Sequence, residues 1–345
     1  MVLRIARRAA SAVLVVAALS AVCFALLDAA PGDPAASVLE ARSGGRPASP
    51  AAVAELHAEM GLDDPVHVRY VRWVSDALRG DLGTSYMSGT PVSEILGDTV
   101  PWTLLLAAAA TVLSFSAALA VGLVAALTRR AWLRRGIDLI LFVMGGMPGF
   151  VVALLLLYVF AASTQLMPSG GVSRPGEPVT AYGLLAHLTL PACALAFGHH
   201  FGIYVRLVET GVGRLRDAPH VQNARVRGVP RRTVVTRHLM RPGLVPFTAR
   251  LGVGVGTLVA GVYATEVIFS WPGMGREAIE AARAQDYPLL VAIVLVTGLM
   301  VVAANLLAEL IVAALDPRVR RGGHRDGGPS GPAADGPVKE APVVG

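Results

Sequence analysis

The residues with types suited to chemistry are few, and they do not converge. His199 and His200 are adjacent and could offer imidazole ligands to a metal, but no HExxH pattern or Cys/His cluster accompanies them. A satisfied or pore-facing pair is the favoured reading. Gly252, Gly254 and Gly256 form a partial glycine fingerprint, yet they lie in an apolar run with no preceding strand, where close helix–helix approach explains them. A phosphate-binding loop needs a lysine after its glycine-rich turn, and the sole lysine is Lys339, far down the chain. ATP hydrolysis by that route is excluded. Glu266 and Arg250 stand near opposite ends of one apolar run, and Arg can snorkel from such a position. Glu266 is divided between bracing the loop that follows it and touching a solute. Asn305 and Glu309, four apart on one helix face, suit helix association. No catalytic set and no metal site assembles, which argues against a membrane enzyme.

One polar stretch differs from all of these. Arg214 to Pro246 is arginine-rich and flanked by apolar runs. Asp217 is the expected N-cap, with Pro219 in the first turn, where its missing N–H costs nothing. Gly228 and Pro230 form a stop signal, so a helix is predicted from Ala218 to Arg227 and a second helical piece from Arg231 to about Met240. A helix of about ten residues is marginal in water. It needs something to dock against.

The elements that must hold this stretch are membrane spans. Hydrophobic residues make up 54% of the 345 and charged residues 16%, well below the charge of a soluble domain. Cys23 and Cys193 are far apart in apolar segments and suggest neither a disulfide nor a metal site. Ala9 to Leu27 is charge-free behind Arg4, Arg7 and Arg8. It exceeds a signal-peptide core and is long enough to span, so a retained first span is preferred to a cleaved leader. Residues 28–99 carry eleven acidic and five basic residues and read as an outer loop with two short helices, at 51–60 and 70–78. Five more spans follow: 102–127, 139–162 with a kink at Gly145–Pro148, 184–205, 245–269 and 287–308. The expected organisation is therefore 1–99 (first span and outer loop), 100–321 (five-helix core with a polar loop at 206–245) and 322–345, a Gly/Pro-rich disordered tail. The fold class is all-α, polytopic, with six transmembrane helices.

Orientation follows from the basic residues. With the N-terminus inside, 21 of them fall in inner segments and 8 in outer ones, Arg250 lying within a span. Both ends are then cytoplasmic, and Arg214–Pro246 is on the cytoplasmic face. Basic charge distributed in this way is a topology signal and gives no reason to expect nucleic acid binding.

Several landmarks recur in order along residues 1–321: LLDAAPGDP (26–34), GLDDP (61–65), RGDLG (79–83), HLTLP (187–191), FSWPGMG (269–275) and DPRVR (316–320). Together they resemble the inner-membrane permease subunits of bacterial ABC importers of the dipeptide/oligopeptide/nickel type. The resemblance implies a type I importer permease fold with a cytoplasmic coupling helix between spans four and five. The family's Ala and Gly, four apart, match Ala224 and Gly228. Asp217, Pro219, His220, Asn223, Arg225 and Arg227 surround them and would meet the groove of an ATPase. Glu266, Trp271, Pro272 and Gly273 become outer-gate candidates. Departures from the family pattern are His220 for an aromatic residue, Gln222 for Arg, and Glu209 and Gly211 for basic and Ser residues.

By the same resemblance, the expected partners are a second permease subunit, two ATP-binding cassette ATPase subunits, an extracellular solute-binding protein and membrane lipid. ATP would be used by the partners, with no cofactor held by this chain, and the location would be the bacterial cytoplasmic membrane. A self-sufficient secondary transporter or channel is the alternative. It would call for internal repeats and mid-membrane ion ligands, which the sequence does not display.

Overall fold

The structure is a computed structural model that describes residues 2–29, 32–43, 45–198 and 200–315. The tail 322–345, the 316–320 landmark, His199 and the side chains of Arg4, Arg7, Arg8 and Glu309 lie outside that description. Among the described residues the chain is helical without a strand, apart from one isolated bridge between Thr84 and Pro91.

Helix α1 (Val2–Asp28) leads into three short helices, one more than the sequence suggested. The extra one is α2 (Pro34–Arg42), started by Pro34 and by Asp33, whose carboxylate accepts from the Ala35 N–H at 2.9 Å. Ser49 caps α3 (Pro50–Glu59) in the same manner, accepting from the Ala52 N–H at 3.2 Å. Helix α4 (Val66–Leu78) turns Arg69 and Tyr70 onto α1. The Arg69 guanidinium pairs with Asp28 at 3.0 Å and lies 5.5 Å from the ring centres of both Phe24 and Tyr287. One side chain thus fastens the end of α1, α4 and the start of the last helix together.

Helix α5 (Val92–Leu127) has 36 residues, about 54 Å at 1.5 Å per residue, so it exceeds the ~30 Å hydrocarbon layer. The third expected span is not one kinked helix. It is α6 (Ala131–Gly145) and α7 (Gly149–Leu156), the latter continuing as a π-helical segment Leu157–Ser163, and the two halves meet at 107°. Pro148 is the cause, because it lacks the N–H needed to continue the helix and sits in an extended conformation (φ −58°, ψ 143°).

The fourth span is α8 (Ala181–Gly198), and a break with His200 left-handed at φ 31° separates it from α9 (Phe201–Leu215). The two breaks touch. A Cβ on Gly198 would come within 3.0 Å of the Gly149 Cα.

Helix α10 (Pro219–Val226), α11 (Arg231–Thr233) with its π-helical continuation Val234–Met240, and the single turn α12 (Arg241–Gly243) fill the polar loop, which is helical through most of its length. Helix α13 (Val245–Ile268) packs along α15 (Tyr287–Leu315), and α14 (Met274–Ala284) lies between them in sequence. Among the described residues, three helices are long and apolar enough to cross a membrane (Val92–Leu127, Ala181–Gly198 and Tyr287–Leu307). Two bent pairs, α6 with the Gly149–Ser163 segment and the two parts of α13 (Val245–Leu251 and Gly254–Ile268, at 45°), and the shorter apolar helix Leu14–Asp28 fall at the other three expected positions. Gly254 and Gly256 serve close packing as expected, since a Cβ there would strike the Tyr204 hydroxyl at 2.2 Å and Asn305 at 2.8 Å.

Candidate functional site

Pro219 decides where the short polar helix begins. A residue before proline is driven to extended backbone, and Ala218 has φ −66° and ψ 144°. Ala218 is therefore the N-cap, and its carbonyl accepts from Val221 at 2.9 Å and Gln222 at 3.1 Å. The expected Asp217 cap is corrected: no side chain caps this helix, and the Asp217 carbonyl instead accepts from the Gln222 side chain at 3.0 Å.

The far end matches the sequence. Gly228 is left-handed at φ 73°, its N–H donates to the Arg225 carbonyl at 3.0 Å, and the Val229 N–H donates to the Ala224 carbonyl at 3.1 Å. These are the paired bonds of a Schellman ending, available to glycine without a steric penalty.

At 100° per residue, the helix separates into faces. Val221 and Ala224 point inward and are buried in one apolar cluster with Val208 and Val212 of α9, Val234 and Leu239 of the π-helical segment, Phe247 of α13 and Ala118 of α5. The small Ala224 side chain lets α10 lie close to this core. The outward face holds Pro219, Gln222, Asn223 and Val226, with His220 and Arg227 along one side and Arg225 along the other. Val226 is 88% exposed, an apolar side chain presented to solvent from a polar helix. Sequence reasoning overlooked it, although it lies opposite the Val221–Ala224 face.

Two departures from the family pattern find a reason in the geometry. Glu209 is only 4% exposed and pairs with Arg134 of α6 at 2.9 Å and Arg206 at 2.6 Å, while Arg206 also reaches Asp138 at 2.6 Å. Two guanidinium groups around one buried carboxylate offset its desolvation and tie α6 to α9. Gly211 faces Gly243, and a Cβ on it would come within 2.1 Å of the Gly243 carbonyl oxygen. The serine usual at that position has no room here.

The outer-loop candidates gather at the other end. Glu266 is fully buried, and its Oε2 accepts from the Gly275 N–H at 2.6 Å in the first turn of α14. A carboxylate at a helix N-terminus is favoured by the unpaired N–H groups there. Gly273 and Gly275 clear space for it, since a Cβ on either would fall 2.1 Å or 2.7 Å from the carboxylate oxygens. Trp271 is buried too. Its Nε1–H donates to the Trp102 carbonyl at 3.0 Å, and the two indoles meet edge to face. The Met274 N–H donates to Thr103 Oγ1 at 2.9 Å, and Phe269 accepts from the Gly171 N–H at 2.9 Å. Glu266 and Trp271 thus brace the loop against α5. Pro272 follows Trp271 at the turn into Gly273.

The helical membrane chain thus carries, between its fourth and fifth spans, a short helix anchored on one face, the arrangement that the resemblance to permease subunits implies. Comparison with known proteins names the family. Residues 118–321 match the model described as "Binding-protein-dependent transport system inner membrane component", and residues 1–107 match that of its N-terminal region. The chain belongs to this family, an inner membrane component.

Among curated proteins it is similar to the oligopeptide transport system permease protein AppB of Bacillus subtilis, with 29% identity covering 91% of this chain and 98% of that protein. It is similar also to DdpB of Escherichia coli, named "Probable D,D-dipeptide transport system permease protein", with 32% identity covering 90% of this chain and 95% of that one. Among solved structures, a chain of the inward-facing MetNI methionine ABC transporter aligns with a TM-score of 0.51 at 16% identity, over 65% of this chain and 97% of that chain. This last likeness bears on the fold, which is that of a type I ABC importer permease.

Proposed function

We propose that this chain is the membrane-spanning permease subunit of an ATP-driven importer of peptides or similar small solutes, moving them by alternating access. The peptide class rests on the names of the relatives. The mechanical reading rests on one observation: Val221 and Ala224 of α10 are buried in the same apolar cluster as residues of α5, α9 and α13. A force on the outward face of α10 is therefore delivered through close-packed side chains to the spans. Two ATP-binding cassette ATPase subunits would apply that force on closing over ATP, with Gln222, Asn223 and Val226 seated in their groove. A second permease subunit would complete the pore, and an extracellular binding protein would deliver solute beside the loop braced by Glu266 and Trp271. The chain itself would turn over no ATP. The charge distribution supports both termini in the cytoplasm.

Val226→Asp tests the reading, because an 88% exposed side chain tolerates the change without unfolding. The variant should insert normally, lose co-purifying ATPase subunits and lose uptake. Undiminished uptake with a stable complex would refute the docking face. Solute flux through the purified chain alone would favour a secondary transporter instead.

A further inference from the structure

Beside the polar helix lies a cavity of about 700 Å3 whose wall carries five arginines: Arg129, Arg130, Arg216, Arg225 and Arg231. They come from the α5–α6 turn, the α9–α10 link, α10 itself and the start of α11. No Asp or Glu lines the space. None of the five guanidinium groups has an ion pair or hydrogen bond with another described residue. Their neighbours Arg134 and Arg206 are, by contrast, matched by Glu209 and Asp138. Apart from Thr128, the rest of the wall is apolar, from Leu127, where α5 ends, to Val229, Val234, Val235 and Leu239.

We propose that this cavity binds the phosphate headgroup of an anionic membrane lipid and joins it to the α5–α6 turn and the coupling helix. Five like charges around one space raise a local positive potential, which a counter-anion lowers. Guanidinium forks match phosphate oxygens two at a time, and a basic pocket at the cytoplasmic ends of membrane helices is where a headgroup arrives. The apolar half of the wall, continuous with the end of α5, suits a lipid's glycerol and first methylenes; a free anion would leave it unused. An acidic ATPase side chain is the less suitable occupant, since α10 turns Arg225 about 100° away from Val226 on the outward face. The inference rests on the proposed cytoplasmic placement of α10.

The test uses the assembled importer in mild detergent, titrated with phosphatidylglycerol or phosphatidylcholine and read by native mass spectrometry. The same spectrum reports whether ATPase subunits are attached, so a failure of the coupling assignment is seen separately. Phosphatidylglycerol should be retained in preference to phosphatidylcholine. Arg129→Gln/Arg231→Gln should weaken that retention by roughly thirtyfold in a complex that stays assembled. Arg129→Lys/Arg231→Lys, which keeps the charge, should retain most of it and serves if the first variant fails to fold. Three results would overturn the proposal: equal phosphatidylglycerol binding by the glutamine variant; displacement of the lipid by millimolar inorganic phosphate, which marks a soluble-anion site; or loss of ATPase subunits with lipid binding unchanged.

Discussion

Gly211 and Gly243 face each other so closely that a methyl group on Gly211 would lie 2.1 Å from the Gly243 carbonyl oxygen. The reverse holds as well, since a Cβ on Gly243 would lie 2.8 Å from the Val212 Cα. This contact seats the end of the polar segment, just before α13, against α9. Gly211→Ala should therefore force α12 away from α9 at a cost of about 1–3 kcal/mol. A thermal-shift measurement on the purified importer should register the loss, and uptake should fall further than ATP hydrolysis. An alanine variant as stable and active as the parent would show that the two backbones separate freely.

The Glu266 carboxylate tests the outer brace. Glu266→Ala strands the buried Gly275 N–H, a loss of about 1–3 kcal/mol, whereas Glu266→Gln keeps one acceptor and should be milder. Gly273→Ala should resemble the alanine variant, because its methyl would occupy the carboxylate's place. Unfolding midpoints in detergent would order the three. If the glutamine variant were the worst, the brace would depend on charge more than on the hydrogen bond.

Gly228 offers a test in which size and effect run in opposite directions. Its φ of 73° costs an ordinary residue about 1–2 kcal/mol but is tolerated by asparagine. Gly228→Asn should therefore couple ATP hydrolysis to uptake better than the smaller Gly228→Ala. The ratio of solute moved to ATP consumed is the measurement, and the reverse order would mean that free volume at this site matters more than backbone conformation.

Arg69 is 11% exposed by side chain and combines an ion pair with two ring contacts. Arg69→Lys keeps the charge and loses the planar group that lies over Phe24 and Tyr287. Limited proteolysis of the outer loop should become faster in this variant and nearly as fast as in Arg69→Ala. A lysine variant cut no faster than the parent would assign the clamp to the Asp28 ion pair alone.

The spans and the end of the polar helix were legible because they depend on local signals, charge-free runs and Gly228 as a stop, whereas the start of α2 at Pro34 was missed. Where one local signal competes with another, the reading failed. Asp217 is a good N-cap by type, but Pro219 dictates the conformation of the residue directly before it and so gives the role to Ala218. Pro148 announced a kink, yet the 107° corner involves Gly149 lying against Gly198, some fifty residues away. The Arg134–Glu209 pair and the Gly211–Gly243 contact also join residues far apart in sequence, and periodicity carries no information about them. The inward face of α10 was half legible. Its small residue was recognised, but the direction in which it points depends on α9 and the π-helical segment.

On the proposed coupling through α10, the touching breaks at Gly149 and Gly198 would determine how a shove on that helix is spent. A solid rod would pass it straight upward, whereas two jointed helices hinged at a common point fold it into a sideways swing. The α6 and α9 halves would then swing through an arc while α8, packed against Trp271, is held, like a door moving in a fixed frame.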